Sequence, residues 1–319
     1  MTRLARTFLW LLVAGLVLVA LLPLVPTDRW FVRMADFPRL QFLILSIPVA
    51  LAAALLGRNG GWLRWGAVAV ALAGLSHGVT LWPWITGSRE AASCPAGSDR
   101  LSVLVANVRM TNDPDRRLVD IVTAADPDLF LALETNDDWS RALEPLQTRL
   151  PHVIAEPDGD YYGIMLMSRL PLVDAQVIYP ADVTTPSIHA QIPLPSGRTV
   201  VFQGLHPRPP HPGQSARSRD AQILATATAL AAAPSYVLAG DLNATPWETT
   251  IRAAADVAGW RDPRRAFGYT ATYSARSWWR RWPLDYVLPS PDWTVGRFDR
   301  LPAFGSDHLP ILAELCREG

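Results

Sequence analysis

The chain has 319 residues, half of them hydrophobic, and its 29 basic residues are all arginine, matched by 29 Asp and Glu. The first ninety or so residues are very apolar, whereas from Leu101 to the end 20 Arg stand against 25 Asp and Glu. That balance lacks the cationic surface by which a polyanion-binding protein releases counterions, and the arginine-only basic set reads first as a coding bias.

Three segments have the length and polarity of membrane spans. Thr7–Val25 is an uninterrupted apolar run long enough to cross a hydrocarbon core. Leu40–Leu56 is shorter and contains Pro48, which makes it the weakest of the three. Trp65–Trp84 is apolar apart from His77 and small hydroxylic residues, and it ends in Trp82-Pro83-Trp84, a composition typical of the membrane–water interface. Arg3 and Arg6 ahead of the first run also fit a signal peptide, but the run is long for one and Leu24-Val25-Pro26 is a poor cleavage site. The expected organisation is therefore an anchor at 1–88, with spans near 7–25, 40–56 and 65–84, a linker at 89–100 and a soluble domain at 101–319. With the N-terminus inside, three crossings put that domain outside the cytoplasm; Arg3, Arg6, Arg58 and Arg64 would lie inside, against Arg29, Arg33 and Arg39 in or beside the outer loop.

In the soluble part, Leu101–Val108, Asp128–Leu133, Ile164–Met167, Val200–Gly204, Tyr236–Ala239 and Ile311–Leu315 read as short apolar strands. Arg117–Ala125 and Arg217–Ala233 read as helices. Strands in both meander and helix-separated order predict an α+β sandwich of two sheets with helices outside. Cys94 and Cys316 bracket this part, and by count alone they read as two unrelated thiols.

Polar groups follow these strands repeatedly: Asn107, Glu134, His206, Asp241 with Asn243, Asp285, and Asp307 with His308. Each alone is explained by a turn or a solvated loop. Together they are the residue types that a hydrolytic metal site requires.

Asn107, Leu133-Glu134, the GLHPRPP segment at 204–210, GDLNATP at 240–246, LDYV at 284–287 and SDHLP at 306–310 resemble, in that order, the endonuclease/exonuclease/phosphatase superfamily with its deoxyribonuclease-I-like fold. The resemblance covers about Leu101 to Leu315 and implies a four-layer α/β/β/α sandwich, here preceded by a bundle of about three transmembrane helices. It also implies that Glu134 is the principal ligand of Mg²⁺, or of Mn²⁺, with Asn107 and Asp307 near the metal. Asp241 would orient or deprotonate the attacking water, and Asn243 would hold a phosphate oxygen. His308 would act on the phosphate with Asp285 fixing its tautomer, while His206 would donate to the phosphate or the leaving oxygen. Because the first and last strands of that fold lie side by side, the resemblance further implies that Cys94 and Cys316 can pair, in a bond that persists in an oxidising compartment.

The fold hosts nucleases, sphingomyelinases, inositol phosphatases and membrane phosphatases, so the substrate must be argued from this chain. The apparent spans, the acidic domain and the stretch Arg276-Ser277-Trp278-Trp279-Arg280-Arg281-Trp282 lean toward a lipid phosphate, with Arg276, Arg280, Arg281 and Trp278 as substrate-binding candidates. The plain alternative for that stretch is a core-packing Trp cluster with solvated arginines. Three short spans before such a domain are similar to the bacterial VanJ-type membrane phosphatases associated with glycopeptide resistance, which act on undecaprenyl pyrophosphate. The reading is thus a multi-pass membrane phosphoesterase whose partners are the bilayer and a lipid-linked phosphorylated substrate, with stable nucleic-acid binding not expected. A membrane-tethered nuclease is the alternative. An inactive scaffold is a third reading, opposed by the presence of Glu134, Asp241, Asn243, Asp307 and His308.

Overall fold

The computed structural model of the chain describes residues 3–58, 61–87 and 94–317. Of the linker expected at 89–100, residues 89–93 lie outside the described ones. The chain divides into two compact units, Met1–Thr86 with Pro210–Ala216, and Gly87–Pro209 with Arg217–Gly319.

The first unit is helical. Helices α1 (Arg3–Leu21), α3 (Arg39–Gly57) and α4 (Leu63–Ile85) pack around Leu9, Val13, Leu16, Val49, Ala53, Ala67 and Val70, and the short α2 (Trp30–Arg33) lies between the first two in sequence. Among the described residues three helices, Arg3–Leu24, Arg39–Gly57 and Leu63–Ile85, are long and apolar enough to cross a membrane. Pro48 does not end α3: it deprives one carbonyl of its donor, a defect that neighbouring helices and Ser or Thr side chains offset in such segments. The outward faces keep large apolar groups such as Leu51, Leu55, Leu72 and Val79 exposed, as a lipid-facing surface does. Inside, Arg39 donates from Nε to Asp36 Oδ1 at 2.8 Å and stands 3.4 Å from His77 Nδ1, so its buried charge is paired. The segment Pro210–Ala216 joins this unit, the Ala216 N–H donating to the Asp28 carbonyl at 2.8 Å.

The second unit holds two sheets. Its strands are β1 (Asp99–Asn107), β2 (Leu129–Leu133), β3 (His152–Glu156), β4 (Ile164–Ser168), β5 (Val173–Ile178), β6 (Ser187–Pro193), β7 (Thr199–Leu205), β8 (Tyr236–Asp241), β9 (Asp285–Pro289), β10 (Thr294–Arg300) and β11 (Ile311–Arg317). One sheet runs β10-β11-β1-β2-β4-β3 and the other β5-β6-β7-β8-β9. Each contains one parallel pair, β1 with β2 and β7 with β8, and the rest are antiparallel. A parallel pair needs a crossover, which α5 (Arg116–Ala125) and α7 (Arg217–Ala231) supply.

Alternation along the central strands builds the layers. Val103, Val105, Leu129, Leu131 and Leu133 face Ile188, Ala190, Phe202, Val237 and Ala239 across the space between the sheets. Leu104, Ala106, Phe130 and Ala132 turn outward onto α5 and α6 (Asp137–Leu143), while Leu238, Tyr286 and Leu288 turn onto α7 and α8 (Thr249–Ala258). The result is a four-layer α/β/β/α sandwich. The helices are cut locally: Asp115 accepts from Arg117 N at the start of α5, and Asn136 accepts from Trp139 N at the start of α6. A short α9 (Arg264–Phe267) precedes β9. Cys94 and Cys316 form a disulfide with their Cα atoms 5.5 Å apart, next to the register pair Arg100 and Cys316 of β1 and β11.

Candidate active site

Strand register brings the polar strand ends together. Asn107 pairs with Leu133 at the end of β1 and β2, so Glu134 emerges beside it. In the other sheet Leu205 pairs with Gly240 and Asp241 pairs directly with Asp285, which lines up His206, Asp241 and Asp285. Gly240 is required by that line, since a Cβ there would stand 1.8 Å from the Leu205 carbonyl oxygen. Gly163 serves likewise beside Glu134, where a Cβ would meet the Thr135 carbonyl oxygen at 1.8 Å.

Hydrogen bonds tie the two sheets at this edge. Asn107 Nδ2 donates to Glu134 Oε1 at 2.8 Å and to Asp241 Oδ2 at 3.2 Å. Its Oδ1 accepts from the Arg109 N–H at 2.9 Å, with Arg109 in the left-handed region at φ 57°. Glu134, also left-handed at φ 59°, accepts from the Met110 N–H at 3.4 Å. Asn243, at φ 49°, donates its side-chain amide to the Pro207 carbonyl at 3.1 Å and its N–H to Asp241 Oδ1 at 2.9 Å. Across the edge, His308 Nδ1 is 2.8 Å from Asp285 Oδ2, and its Nε2 is 3.5 Å from Asp241 Oδ2. His206 Nε2 lies 3.8 Å from Asp241 Oδ2 and 3.9 Å from Glu134 Oε1.

These positions set the protonation states. Burial alone draws the His308 pKa down, but the charges of Asp285 and Asp241 and the hydrogen bond to Asp285 outweigh it and raise the pKa to about 10. Burial drives Asp241 up to about 7 against the pull of His308, and it raises Glu134 against the Asn107 hydrogen bond. His206 is held down at about 3 by burial and by the charge on His308, so it is neutral at pH 7. The edge thus presents a protonated imidazole at His308 beside a carboxylate at Asp241 that can exchange a proton near neutrality.

Four carboxylates, Glu134, Asp241, Asp285 and Asp307, gather here, and among the described residues the cations paired with them are His308 and Arg109, whose Nη1 is 3.7 Å from Asp307 Oδ2. A phosphate entering would meet net negative charge unless a cation joined it. Glu134, Asn107 and Asp307 offer oxygen donors of the hard type that Mg²⁺ and Mn²⁺ take. Asp241, Asp285 and His308 also bring ligand atoms within 4.8 Å of one another, but Nδ1 of a protonated His308 is a donor to Asp285 and has no lone pair for a metal.

The arginine–tryptophan stretch forms a loop beside this edge. Its root is fixed: the Ala275 N–H donates to the Asp307 carbonyl at 2.6 Å, and the Tyr273 ring lies 4.9 Å from that of His308. Arg276 donates to Asn112 Oδ1 at 2.7 Å and to the Gly305 carbonyl at 2.6 Å, which makes it a strut of the loop. At the tip Trp278 is 84% exposed and Trp279 42%, with Arg280 exposed beside them and Arg281 half-buried. The tip is therefore no core cluster, although Trp282 stacks on Tyr273 at 5.6 Å. Arg109, Tyr273 and Tyr162, whose ring is 5.8 Å from His206 and lies under the Arg208 guanidinium, were not legible as site residues. The one available signal was Arg109, two residues after Asn107 at a strand end.

The fold recurs in solved structures. The chain is similar to D. rerio TDP2 complexed with a single-strand DNA product (TM-score 0.58, 18% identity, 68% of this chain and 98% of that one). It is also similar to the human Nocturnin catalytic domain with a bound sulfate anion (0.57, 20%, 73% and 100%) and to sphingomyelinase C from Streptomyces griseocarneus (0.51, 17%, 67% and 99%). A search of curated protein sequences finds no match. The model of the Endonuclease/Exonuclease/phosphatase family matches residues 104–308, a span that opens in β1 and closes on His308. With well over half of its length matched and the strand-end residues gathered at one edge of the sandwich, the chain belongs to the endonuclease/exonuclease/phosphatase family.

Proposed function

We propose that this phosphoesterase is a membrane-anchored, Mg²⁺-dependent enzyme that hydrolyses a lipid-linked phosphate or pyrophosphate, such as undecaprenyl pyrophosphate, on the extracytoplasmic side of a cell membrane. The observation that carries the substrate class is the loop tip, where Trp278, Trp279 and Arg280 stand exposed while the loop root is bonded to Asp307. Exposed tryptophan with arginine suits the headgroup zone, the rings at the interface and the guanidinium on phosphate. The three membrane-length helices and the acidic balance of the domain support the same reading, and the Cys94–Cys316 disulfide supports an oxidising compartment.

In the mechanism that follows, Asp241 accepts the proton of the attacking water at its Oδ2. Protonated His308 donates from Nε2 to a phosphate oxygen, and Asp285 keeps it charged and oriented. Asn243 holds a second phosphate oxygen, and His206, neutral, donates to the phosphate or the leaving oxygen. Glu134, with Asn107 and Asp307 beside it, would hold Mg²⁺, which would supply positive charge against the negative charge that develops.

The test is phosphate release from undecaprenyl pyrophosphate and nicking of plasmid DNA by detergent-solubilised protein, each with Mg²⁺ and with EDTA, beside a Glu134→Ala control. Metal-dependent phosphate release with intact plasmid supports the proposal. Plasmid cleavage without lipid turnover replaces it with a tethered nuclease, for which the exposed tryptophans would be base-stacking groups. Silence in both assays excludes both substrates.

A further inference from the structure

Arg219 and Glu248 are a fully buried ion pair outside the catalytic edge. Arg219, on α7, is 0% exposed and directs its guanidinium at three targets. Nη1 donates to the Asn243 carbonyl at 2.7 Å, Nη2 to Glu248 Oε2 at 2.8 Å, and Nε and Nη2 to Asp220 Oδ1 at 3.0 and 2.8 Å. Glu248 turns its other oxygen to the Thr245 N–H at 2.8 Å. The pair therefore grips the turn that follows β8 at two backbone points, Asn243 and Thr245. The turn begins at Asp241 and carries Asn243 in its left-handed conformation. Stability alone does not account for this pair, because desolvating both ions offsets their attraction and an apolar pair would pack α7 at least as well. An apolar pair cannot hold a carbonyl and an amide by direction.

We propose that Arg219 is a positioning residue of the catalytic centre, which with Glu248 fixes the Asp241–Asn243 turn and so acts on the chemical step through those two side chains. This rests on the roles given to Asp241 and Asn243 above. Metal retention is assigned to Glu134, Asn107 and Asp307, which the pair does not touch and which meet the turn only through the 3.2 Å bond from Asn107 to Asp241, so the effect of loosening it falls mainly on kcat and little on metal affinity.

The experiment uses the full chain in detergent with Arg219→Gln, Arg219→Lys and Glu248→Gln, each first shown to be folded by its thermal transition. Hydrogen exchange is followed in peptides covering 241–248 and 129–135, and turnover is followed with bis(p-nitrophenyl) phosphate and Mg²⁺. Arg219→Gln is expected to speed exchange in 241–248 alone and to lower kcat by about 30- to 100-fold, with KM and the Mg²⁺ half-saturation within about threefold. Arg219→Lys, which keeps the charge but loses the planar fork, is expected to recover part of that loss. Glu248→Gln, which keeps an acceptor for Thr245, is the variant to read if both Arg219 variants fail to fold, and it is expected to lower kcat by about fivefold. Wild-type kcat in any folded variant at Arg219, or a loss confined to Mg²⁺ affinity, overturns the proposal. If the wild type does not turn over the ester, the choice of substrate has failed and exchange decides: unchanged protection of 241–248 in the variants overturns the positioning role.

Discussion

The two sheets bring different chemistry to the edge where they meet. The sheet containing β1 and β2 contributes Asn107 and Glu134, and Asp307 precedes its β11: oxygen donors suited to a hard cation. The sheet containing β7, β8 and β9 contributes His206, Asp241 with Asn243, and Asp285, groups suited to moving protons and holding phosphate. His308 lies just before β11 in the chain, yet its ring is bonded to Asp285 of the other sheet. On the proposed mechanism, metal retention and proton transfer fall to separate scaffolds, with Asn107 bridging them through its bonds to Glu134 and Asp241. The lesson is that the two functions should respond separately to mutation.

The largest expected effect tests the first sheet. Glu134→Ala should lower turnover by about 10³-fold or more, with excess Mg²⁺ restoring little; near wild-type turnover at saturating Mg²⁺ would break the division. Next comes the second sheet. With Asp241 required as carboxylate and His308 as imidazolium, kcat/KM should rise as pH passes about 7 and fall as it approaches about 10, the two limbs belonging to the coupled pair. Asp285→Asn removes an anion that favours the imidazolium, so it should move the alkaline limb to lower pH and cut kcat by about tenfold while leaving the Mg²⁺ half-saturation unchanged. A shift in Mg²⁺ dependence instead would show that the sheets are not separable.

The loop tip belongs to neither sheet, and Trp278→Ala should accordingly leave the thermal transition and the hydrolysis of a soluble ester alone. Turnover of lipid pyrophosphate in vesicles should fall by about three- to tenfold, because the ring's interfacial burial is lost. Equal losses on both substrates would remove the interfacial role.

The smallest effect sharpens the comparison on the side of stability. Asp182, ahead of β6, is opposed by its burial but accepts from Ser218, Thr184 and Thr185, and its pKa is lowered to about 2. A depressed carboxylate stabilises the fold above its ordinary pKa, and that contribution is lost as pH falls from near 4 to about 2. Asp182→Asn should lower the thermal transition at pH 7 by a few degrees and flatten its decline over that acid window, as measured by calorimetry.

Legibility in the sequence followed burial for most strands; β9 is the exception, buried throughout yet read from its LDYV motif and not as a strand. Strands β1, β2, β8 and β11 are covered on both faces, so they read as continuous apolar runs, and the expected bounds fall close to the observed ones. The edge strands β3, β5 and β10 are largely exposed, carry polar residues such as those of VDAQVI and TVGRFDR, and gave no such signal. At the site, Asn107, Glu134, His206 and Asp241 were legible because they close or follow apolar strands that end in register, β1 with β2 and β7 with β8, and Asp285 opens β9 opposite Asp241. Arg109, Tyr162, Tyr273 and Arg219 were not, since their contacts come from loops and a helix whose placement no local pattern encodes. Arg219 in particular looked like one more polar residue at the head of an Ala-rich helix.

The disulfide has a mechanical meaning. Any load travelling along the chain from residues before Cys94 meets the cross-link to Cys316 before it reaches β1. The force is then shared with the last strand, directly beside the register pair Arg100 and Cys316, so β1 cannot be peeled from β11 one hydrogen bond at a time. Tension along the chain then enters as shear across the central strands at the Arg100 end of β1, seven residues from the strand end at Asn107.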